Sequence, residues 1–308
     1  MVVTHGSLQP ARGRCALTIG NFDGVHRGHR ALIDRVTAKA RELGLTSCVL
    51  TFEPHPREFF ARDAAPARLT RLRDKLELMA AAGVKRVHIA RFDARFAALS
   101  AARFIDEVLV GGLGTRWLLV GRDFRFGERR SGDFATLEDA SLRHGFRLES
   151  MPDVLLEGER VSSSAVRAAL KAGDLQGAER LLGHPYTISG RVAHGAKLGR
   201  GLGFPTANIV LRRTAPISGI FAVEVEGVPG GKRAGVASVG RRPTINPVPI
   251  PLLEVHLFDF DQELYGEHLR VRFLEKLRDE EKYDGLEALR AAIARDARQA
   301  KEYFLKHG

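Results

Sequence analysis

The chain has 308 residues, 44 % hydrophobic and 28 % charged, a balance that suits a globular protein of about two domains. No apolar stretch approaches the roughly 18 residues of a membrane span, and the opening MVVTHGSLQPARGR lacks the apolar core of a secretory signal. The net charge of +11 suits anionic partners such as nucleic acid, a membrane surface or phosphorylated small molecules, but its scatter, with no basic tail, weighs against nucleic acid.

Strand and helix signals alternate through the first half. Apolar runs at CALTIG (15–20), SCVLTF (47–52), VKRVHIA (84–90), WLLVG (117–121) and FRLES (146–150) read as strands. HRALIDRVTAKARELG, RLRDKLELMAAAG and SAARFIDEVLV carry helical spacing between them. This order predicts a parallel sheet with helices on both faces, whose ligands bind at the carboxyl ends of the strands. Cys15 and Cys48, the only cysteines, each sit in a strand-like run. They read as buried, reduced thiols, and the protein is expected in the cytoplasm. SSSAVRAALKAG and DLQGAERLLG read as two short helices, and HPY at 184–186 as a boundary between domains 1–185 and 186–308.

Beyond it the pattern changes to period two. GIFAVEVEG sets Phe221, Val223 and Val225 against Glu224 and Glu226, and LLEVHLFDF and LRVRFL are also strand-like. With the glycine and proline punctuation this predicts a small antiparallel barrel, closed by an amphipathic helix in DGLEALRAAIARDARQAKEYFL.

Three segments hold chemistry. GNFDGVHRGH (20–29) follows the first strand, and its H-x-G-H element falls where a helix begins, so backbone N–H groups and two imidazoles can receive an anion. The same spacing is also compatible with a plain surface helix start, and Asp23 either caps the turn or meets substrate. SSSAVR (162–167) opens another helix with three hydroxyls and Arg167, an anion site or an ordinary N-cap. GRVAHGAKLGRGLGFPTANI (190–209) is glycine-rich without the order of a Walker loop. Its Thr206 and Asn208 offer oxygens to a hard cation such as Mg²⁺, or form a Pro-Thr turn capped by Asn208. Glu254 shares a strand face with His256 and is either a general base or a solvent-facing strand residue.

The decapeptide resembles the nucleotide-binding signature of the bacterial bifunctional riboflavin kinase/FMN adenylyltransferases, members of the H-x-G-H nucleotidyltransferase superfamily. TFEPHP (51–56), VGRDFRFG (120–127), VSSSAVR (161–167), GFPTAN (203–208), EVHLFDF (254–260), LYG (264–266) and LRDEEKYDGLEAL (277–289) are similar to further family elements in the expected order. The resemblance runs from about residue 14 to 304. It implies a Rossmann-like α/β nucleotidyltransferase domain followed by a β-barrel kinase domain. ATP would be a co-substrate, Mg²⁺ a cofactor, riboflavin and FMN substrates, and FMN and FAD products, with self-association open. For the nucleotide it implies Gly20, Phe22, Asp23, His26, His29, Asp123, Ser162, Ser163, Ser164, Arg167, Gly195, Arg200, Thr206 and Asn208. His26, His29 and Glu254 would be catalytic, Thr206 and Asn208 would hold the metal, and Phe52, Pro54 and Arg278 would meet the flavin. Three departures stand out. Ser164 replaces the usual threonine, Arg200 stands where lysine is frequent, and PTINPVPIP (243–251) carries four prolines where a glycine-bearing turn is expected. The rival readings are a superfamily member acting on pantetheine phosphate or a pyridine nucleotide, which would not need the barrel, and a basic nucleic-acid-binding protein with a degenerate enzyme domain.

Overall fold

The computed structural model describes residues 1–6, 13–61, 64–194, 203–211, 213–242 and 250–307. The chain divides into two compact units, Met1–Pro66 with Leu72–Ser162, and Ala67–Arg71 with Ser163–Gly308.

In the first unit the chain runs β1 (Val2–His5), β2 (Cys15–Ile19), α1 (Arg27–Glu42), β3 (Thr46–Glu53), α2 (Pro56–Phe60), α3 (Leu72–Ala81) and β4 (Arg86–Arg91). It continues through α4 (Ala94–Ala97), α5 (Ala101–Arg103), β5 (Thr115–Gly121), α6 (Phe134–His144), β6 (Arg147–Met151) and the hairpin β7 (Leu155–Leu156) and β8 (Glu159–Arg160). Six strands form a parallel sheet in the order β1-β4-β3-β2-β5-β6. The chain steps from β2 outward to β3 and β4, then returns to place β5 on the other side of β2. That reversal opens a crevice at the carboxyl end of β2, the usual ligand position of such a sheet. All five residues of β2 are buried, as a central parallel strand requires.

Besides α2, α4, α6 and the β7–β8 hairpin, which the periodicity did not mark, two elements differ from the pattern expected of the sequence. β1 is an extra edge strand, and its mostly exposed residues leave no alternation to read. The segment expected as one helix from 100 to 110 begins as α5 and continues as a π-helix over Phe104–Gly112, with the Leu113 N–H on the Val108 carbonyl at 2.9 Å.

The second unit contains α7 (Ser163–Ala172), α8 (Leu175–Leu182), β9 (Thr187–Ala193), β10 (Ala207–Val210), β11 (Gly219–Glu226), β12 (Arg233–Arg242), β13 (Ile250–Leu257), β14 (His268–Arg278) and α9 (Leu286–His307). Its strands close an antiparallel barrel in the order β10-β13-β12-β11-β14-β9. Phe221, Val223, Val225, Leu253, Val255, Leu257, Val271 and Phe273 fill the interior. On the outer face, Ile220, Ala222, Val236 and Phe258 pack with Ala297 and Ala300 of α9. Val166 and Leu170 of α7 and Leu175 and Leu182 of α8 join the barrel core, as does Leu69 of the strap Ala67–Arg71. By packing, therefore, the two helices belong with the barrel.

Candidate functional site

The decapeptide forms a tight turn from β2 into α1. Gly24 takes φ +87°, and Phe22 and Val25 also have positive φ, +49° and +41°. A β-branched residue there is a strained outlier, a cost of order 1–3 kcal/mol that concentrates at functional sites. Hydrogen bonds hold the turn: the Gly20 N–H on the Leu50 carbonyl at 3.1 Å, and the Asn21 carbonyl accepting from Thr51 Oγ1 at 3.2 Å and Lys75 Nζ at 2.7 Å. The Phe22 ring is fully buried, so any contact from Phe22 to a nucleotide runs through its backbone. Asp23 is buried as well.

The turn delivers His26 as the N-cap of α1, its Nδ1 accepting from the His29 backbone N–H at 3.3 Å. The two imidazoles stack with centroids 3.6 Å apart and planes at 18°. Gly28 lies between them in sequence because a Cβ there would sit 3.2 Å from the His26 ring. The Nδ1 of His29 is buried and has no hydrogen-bond partner among the described residues. Burial first, then the charges of His26 and Lys75, hold His29 well below the usual imidazole range. The first turn of α1 has no acidic residue, although the helix dipole favours one there. Imidazole N–H groups at that positive end can donate hydrogen bonds to an anion.

Asp123 follows β5, where its carboxylate accepts from Arg160 Nη2 at 2.9 Å; Arg160 also meets Asp153 at 3.0 Å. Phe52 and Pro54 stand at the end of β3. Phe52 lies 5.9 Å from Phe92, which also meets Phe59 at 5.6 Å and Phe60 at 5.7 Å. The Phe60 ring is 70 % exposed, an uncovered aromatic surface. Ser162 ends the first unit, whereas Ser163, Ser164 and Arg167 open α7 in the second. Arg167 Nε donates to the Ala67 carbonyl at 2.6 Å and Nη1 to the Ser163 carbonyl at 3.1 Å.

In the barrel, antiparallel register sets Asn208 of β10 directly opposite Glu254 of β13, and Glu254 opposite Ser238 of β12. Their neighbours Ala207, Ile209, Leu253, Val255, Ala237 and Val239 all point into the barrel core. Asn208, Glu254 and Ser238 therefore form a polar row across its outer face. Asn208 is 7 % exposed. Its Nδ2 donates to the Thr206 carbonyl at 3.2 Å, while Oδ1 is buried with no partner among the described residues. His256, two residues along the same face, fixes the proline turn through Nδ1 and the Pro205 carbonyl at 2.9 Å. Gly195, Arg200 and residues 243–249 of the proline-rich loop lie outside the described residues. Arg278 is engaged as a bidentate clamp on Asp296 of α9, at 2.8 and 2.6 Å.

Three groups escaped the sequence reading. Lys75 is buried on α3, and its spacing with Leu72, Leu76 and Met79 already set it on the apolar face. Phe59 and Phe60 lie on the short helix α2, in a stretch without a periodicity to mark them. Glu280 has its carboxylate against Gly240, where a Cβ could not fit. Burial, then the charge of Glu254, raise the pKa of Glu280.

A sequence model of the FAD synthetase family matches residues 8–165, and one of the riboflavin kinase family matches residues 182–304. The bifunctional riboflavin kinase/FMN adenylyltransferase of Escherichia coli (strain K12) is 50 % identical over 301 residues, 97 % of this chain and 96 % of that protein. The chain belongs to the bifunctional riboflavin kinase/FMN adenylyltransferase family. The Haemophilus influenzae member is also 50 % identical, covering 97 % of both chains, and the Bacillus subtilis member 36 %, covering 97 % of this chain and 96 % of its own. A crystal structure described as a macrolide-efflux protein from Streptococcus pneumoniae shares the fold with a TM-score of 0.79 at 27 % identity, over 96 % of this chain and 97 % of that one. Among the described residues of this family member, no helix is long and apolar enough to cross a membrane.

Proposed function

We propose that residues 1–185 carry adenylyl transfer and residues 186–308 phosphoryl transfer in a two-step synthesis of flavin nucleotides. The chain phosphorylates riboflavin with ATP to give FMN and ADP. It then transfers AMP from a second ATP to the FMN phosphate, giving FAD and pyrophosphate. One observation carries the division: each of the two stretches holds a buried polar atom of the kind that phosphorus chemistry uses, with no hydrogen-bond partner among the described residues. In residues 1–185 it is His29 Nδ1, in the His26–His29 stack at a helix N-terminus; in residues 186–308 it is Asn208 Oδ1, in the Asn208–Glu254 cross-strand pair.

At the first site His26 and His29 donate hydrogen bonds to ATP phosphate oxygens as charge develops on the α-phosphate and on departing pyrophosphate. The backbone of Gly20, Phe22 and Asp23, with Asp123 and Ser162, completes the nucleotide site. The partly exposed rings of Phe52, Phe59, Phe60 and Phe92 beside Pro54 are the surface for the flat flavin ring of FMN. At the second site Glu254 orients the terminal ribityl hydroxyl and accepts its proton. Gly195 and Arg200 belong to its ATP loop. The donor set fits Mg²⁺, because the orphaned Asn208 Oδ1 and the Thr206 hydroxyl are hard oxygens beside a carboxylate. When bound, Mg²⁺ neutralises charge on the transferring phosphoryl group. Arg278 acts at one remove from flavin, by fixing the end of β14 to α9. The use of ATP and the two buried free thiols support a cytoplasmic location.

The test is chromatographic. Riboflavin, ATP and Mg²⁺ are incubated with the wild type, His29→Ala or Asn208→Ala. The reading requires FMN alone from His29→Ala, and FAD from supplied FMN but no FMN from riboflavin with Asn208→Ala. Equal loss of both reactions in either folded variant refutes the division.

A further inference from the structure

We propose that Lys75 is a positioning residue for adenylyl transfer, acting with Thr51 to clamp the Asn21 carbonyl and so fix the strained turn that presents His26 and His29. The proposal rests on the reading of the histidine pair as the adenylyltransferase site.

Lys75 occupies a position of α3 that the helix otherwise gives to apolar side chains. Leu72 and Leu76, its neighbours on that face, pack against the same core as Met79, Phe22, Val25 and Ile33. Lys75 is 4 % exposed. A methionine or leucine would fill the space without the penalty of burying an ammonium group, so packing alone does not account for the lysine. Its ammonium group is engaged at the turn. Nζ reaches across to Asn21 O at 2.7 Å, and the same oxygen accepts from the fully buried Thr51 hydroxyl at 3.2 Å.

Asn21 immediately precedes Phe22, which with Val25 is one of the two non-glycine residues of the turn with positive φ. A strained conformation of this kind persists only where its surroundings over-determine it. A charge-assisted hydrogen bond is stronger and shorter than a neutral one, and this one is anchored in a helix rather than a mobile loop. Releasing the carbonyl lets the turn relax, and the relaxation is transmitted directly. Phe22 lies 5.0 Å from the His29 ring, and His26 is both the last residue of the turn and the N-cap of α1. The positive charge of Lys75 also lowers the pKa of His29, behind burial and His26.

Lys75→Met in the full-length chain removes the charge and keeps the stem. Riboflavin phosphorylation by the same molecules serves as the internal control, and circular dichroism reports the fold. The expected result is a fall of ~10²-fold in kcat for FMN adenylylation, the usual cost of misplacing a group by about an ångström. KM for ATP should change less than about threefold and the kinase should be unaffected, by the same reasoning. A cycle with His29→Ala separates positioning from general support. If Lys75 acts through His29, the double variant is no slower than His29→Ala alone. Losses that multiply, or a folded Lys75→Met enzyme with wild-type kcat, overturn the proposal. Should Lys75→Met fail to fold, Thr51→Val removes the second donor without touching the charge. A fall of ~10-fold confined to adenylylation then supports the clamp, and an unchanged kcat refutes it. If His29→Ala itself keeps full adenylylation, the site reading fails and this proposal with it. If only Lys75→Met is silent, the site stands and the clamp falls.

Discussion

Asn208→Leu should make the barrel no less stable while abolishing riboflavin phosphorylation. The carboxamide is buried, its Oδ1 has no partner among the described residues, and its Nδ2 makes one bond of 3.2 Å to the Thr206 carbonyl. An unsatisfied buried oxygen costs ~1–3 kcal/mol, and a typical hydrogen bond contributes about 1 kcal/mol. Leucine has similar volume, removes the first and forfeits the second, so the net change is between ~0 and 2 kcal/mol in favour of the variant. For a unit of this size, roughly 150 residues, that corresponds to a rise in Tm between zero and about 8 °C. The Mg²⁺-dependent response should reverse. ADP with Mg²⁺ at about 100 times its Kd adds ~2.7 kcal/mol to a protein that binds it, and the variant should lose most of that increment. Thermal unfolding of both proteins with and without MgADP, followed by a riboflavin phosphorylation assay, gives the answer. A drop in Tm above about 4 °C for the unliganded variant would show that Oδ1 is already satisfied within the fold. A preserved MgADP increment would remove Asn208 from the metal site.

Glu254→Gln keeps the shape and an acceptor but removes basicity, so kinase kcat should fall by ~10²–10⁴ with riboflavin KM little changed; an unaltered kcat across the pH range would leave the base elsewhere. Gly28→Ala puts a Cβ 3.2 Å from the His26 ring, so adenylylation should fall ~10-fold or more with kinase activity intact; a fully active variant would mean that the ring tolerates the shift. Asp296→Ala breaks the bidentate clamp from Arg278 to α9, and a melt should show a loss of ~1–3 kcal/mol, between the limits for exposed and buried ion pairs. His88 accepts from or donates to Thr4 through Nδ1 at 2.9 Å and meets the Gly6 carbonyl through Nε2 at 3.1 Å. Burial first, then the Arg86 and His5 charges, lower its pKa. The unfolded chain therefore binds the extra proton first, and stability falls as pH drops below about 6.5. His88→Gln should flatten that part of the stability–pH curve, and an identical slope would refute the assignment.

The sequence exposed the framework because both units obey simple periodicities. Mostly apolar five- and six-residue runs such as CALTI and SCVLTF read as central parallel strands once helices separate them, and the β2 turn then falls at the switch point. In the barrel, the alternation of Leu253, Val255 and Leu257 with Glu254 and His256 places the carboxylate on the outer face before any register is known. What periodicity cannot supply is the partner across the sheet. The pairing of Asn208 with Glu254 depends on the closure of six strands, and neither residue announces it alone. The edge strand β1 was illegible for the opposite reason, since most of its residues are exposed and it pairs, among the described strands, with β4 alone. Lys75 was hidden differently again. Its position on the apolar face of α3 was visible, but a lysine there is ordinarily read as a stem lying along the surface with its head in water. The carbonyl of Asn21, at the start of the strained turn, gives the buried ammonium group a destination. The site thus breaks local rules where it acts, in a β-branched residue at positive φ, an ammonium on an apolar face and an amide oxygen without a partner. Each departure lies beside a group assigned to phosphorus chemistry, which is where a sequence tuned for stability alone would have chosen otherwise.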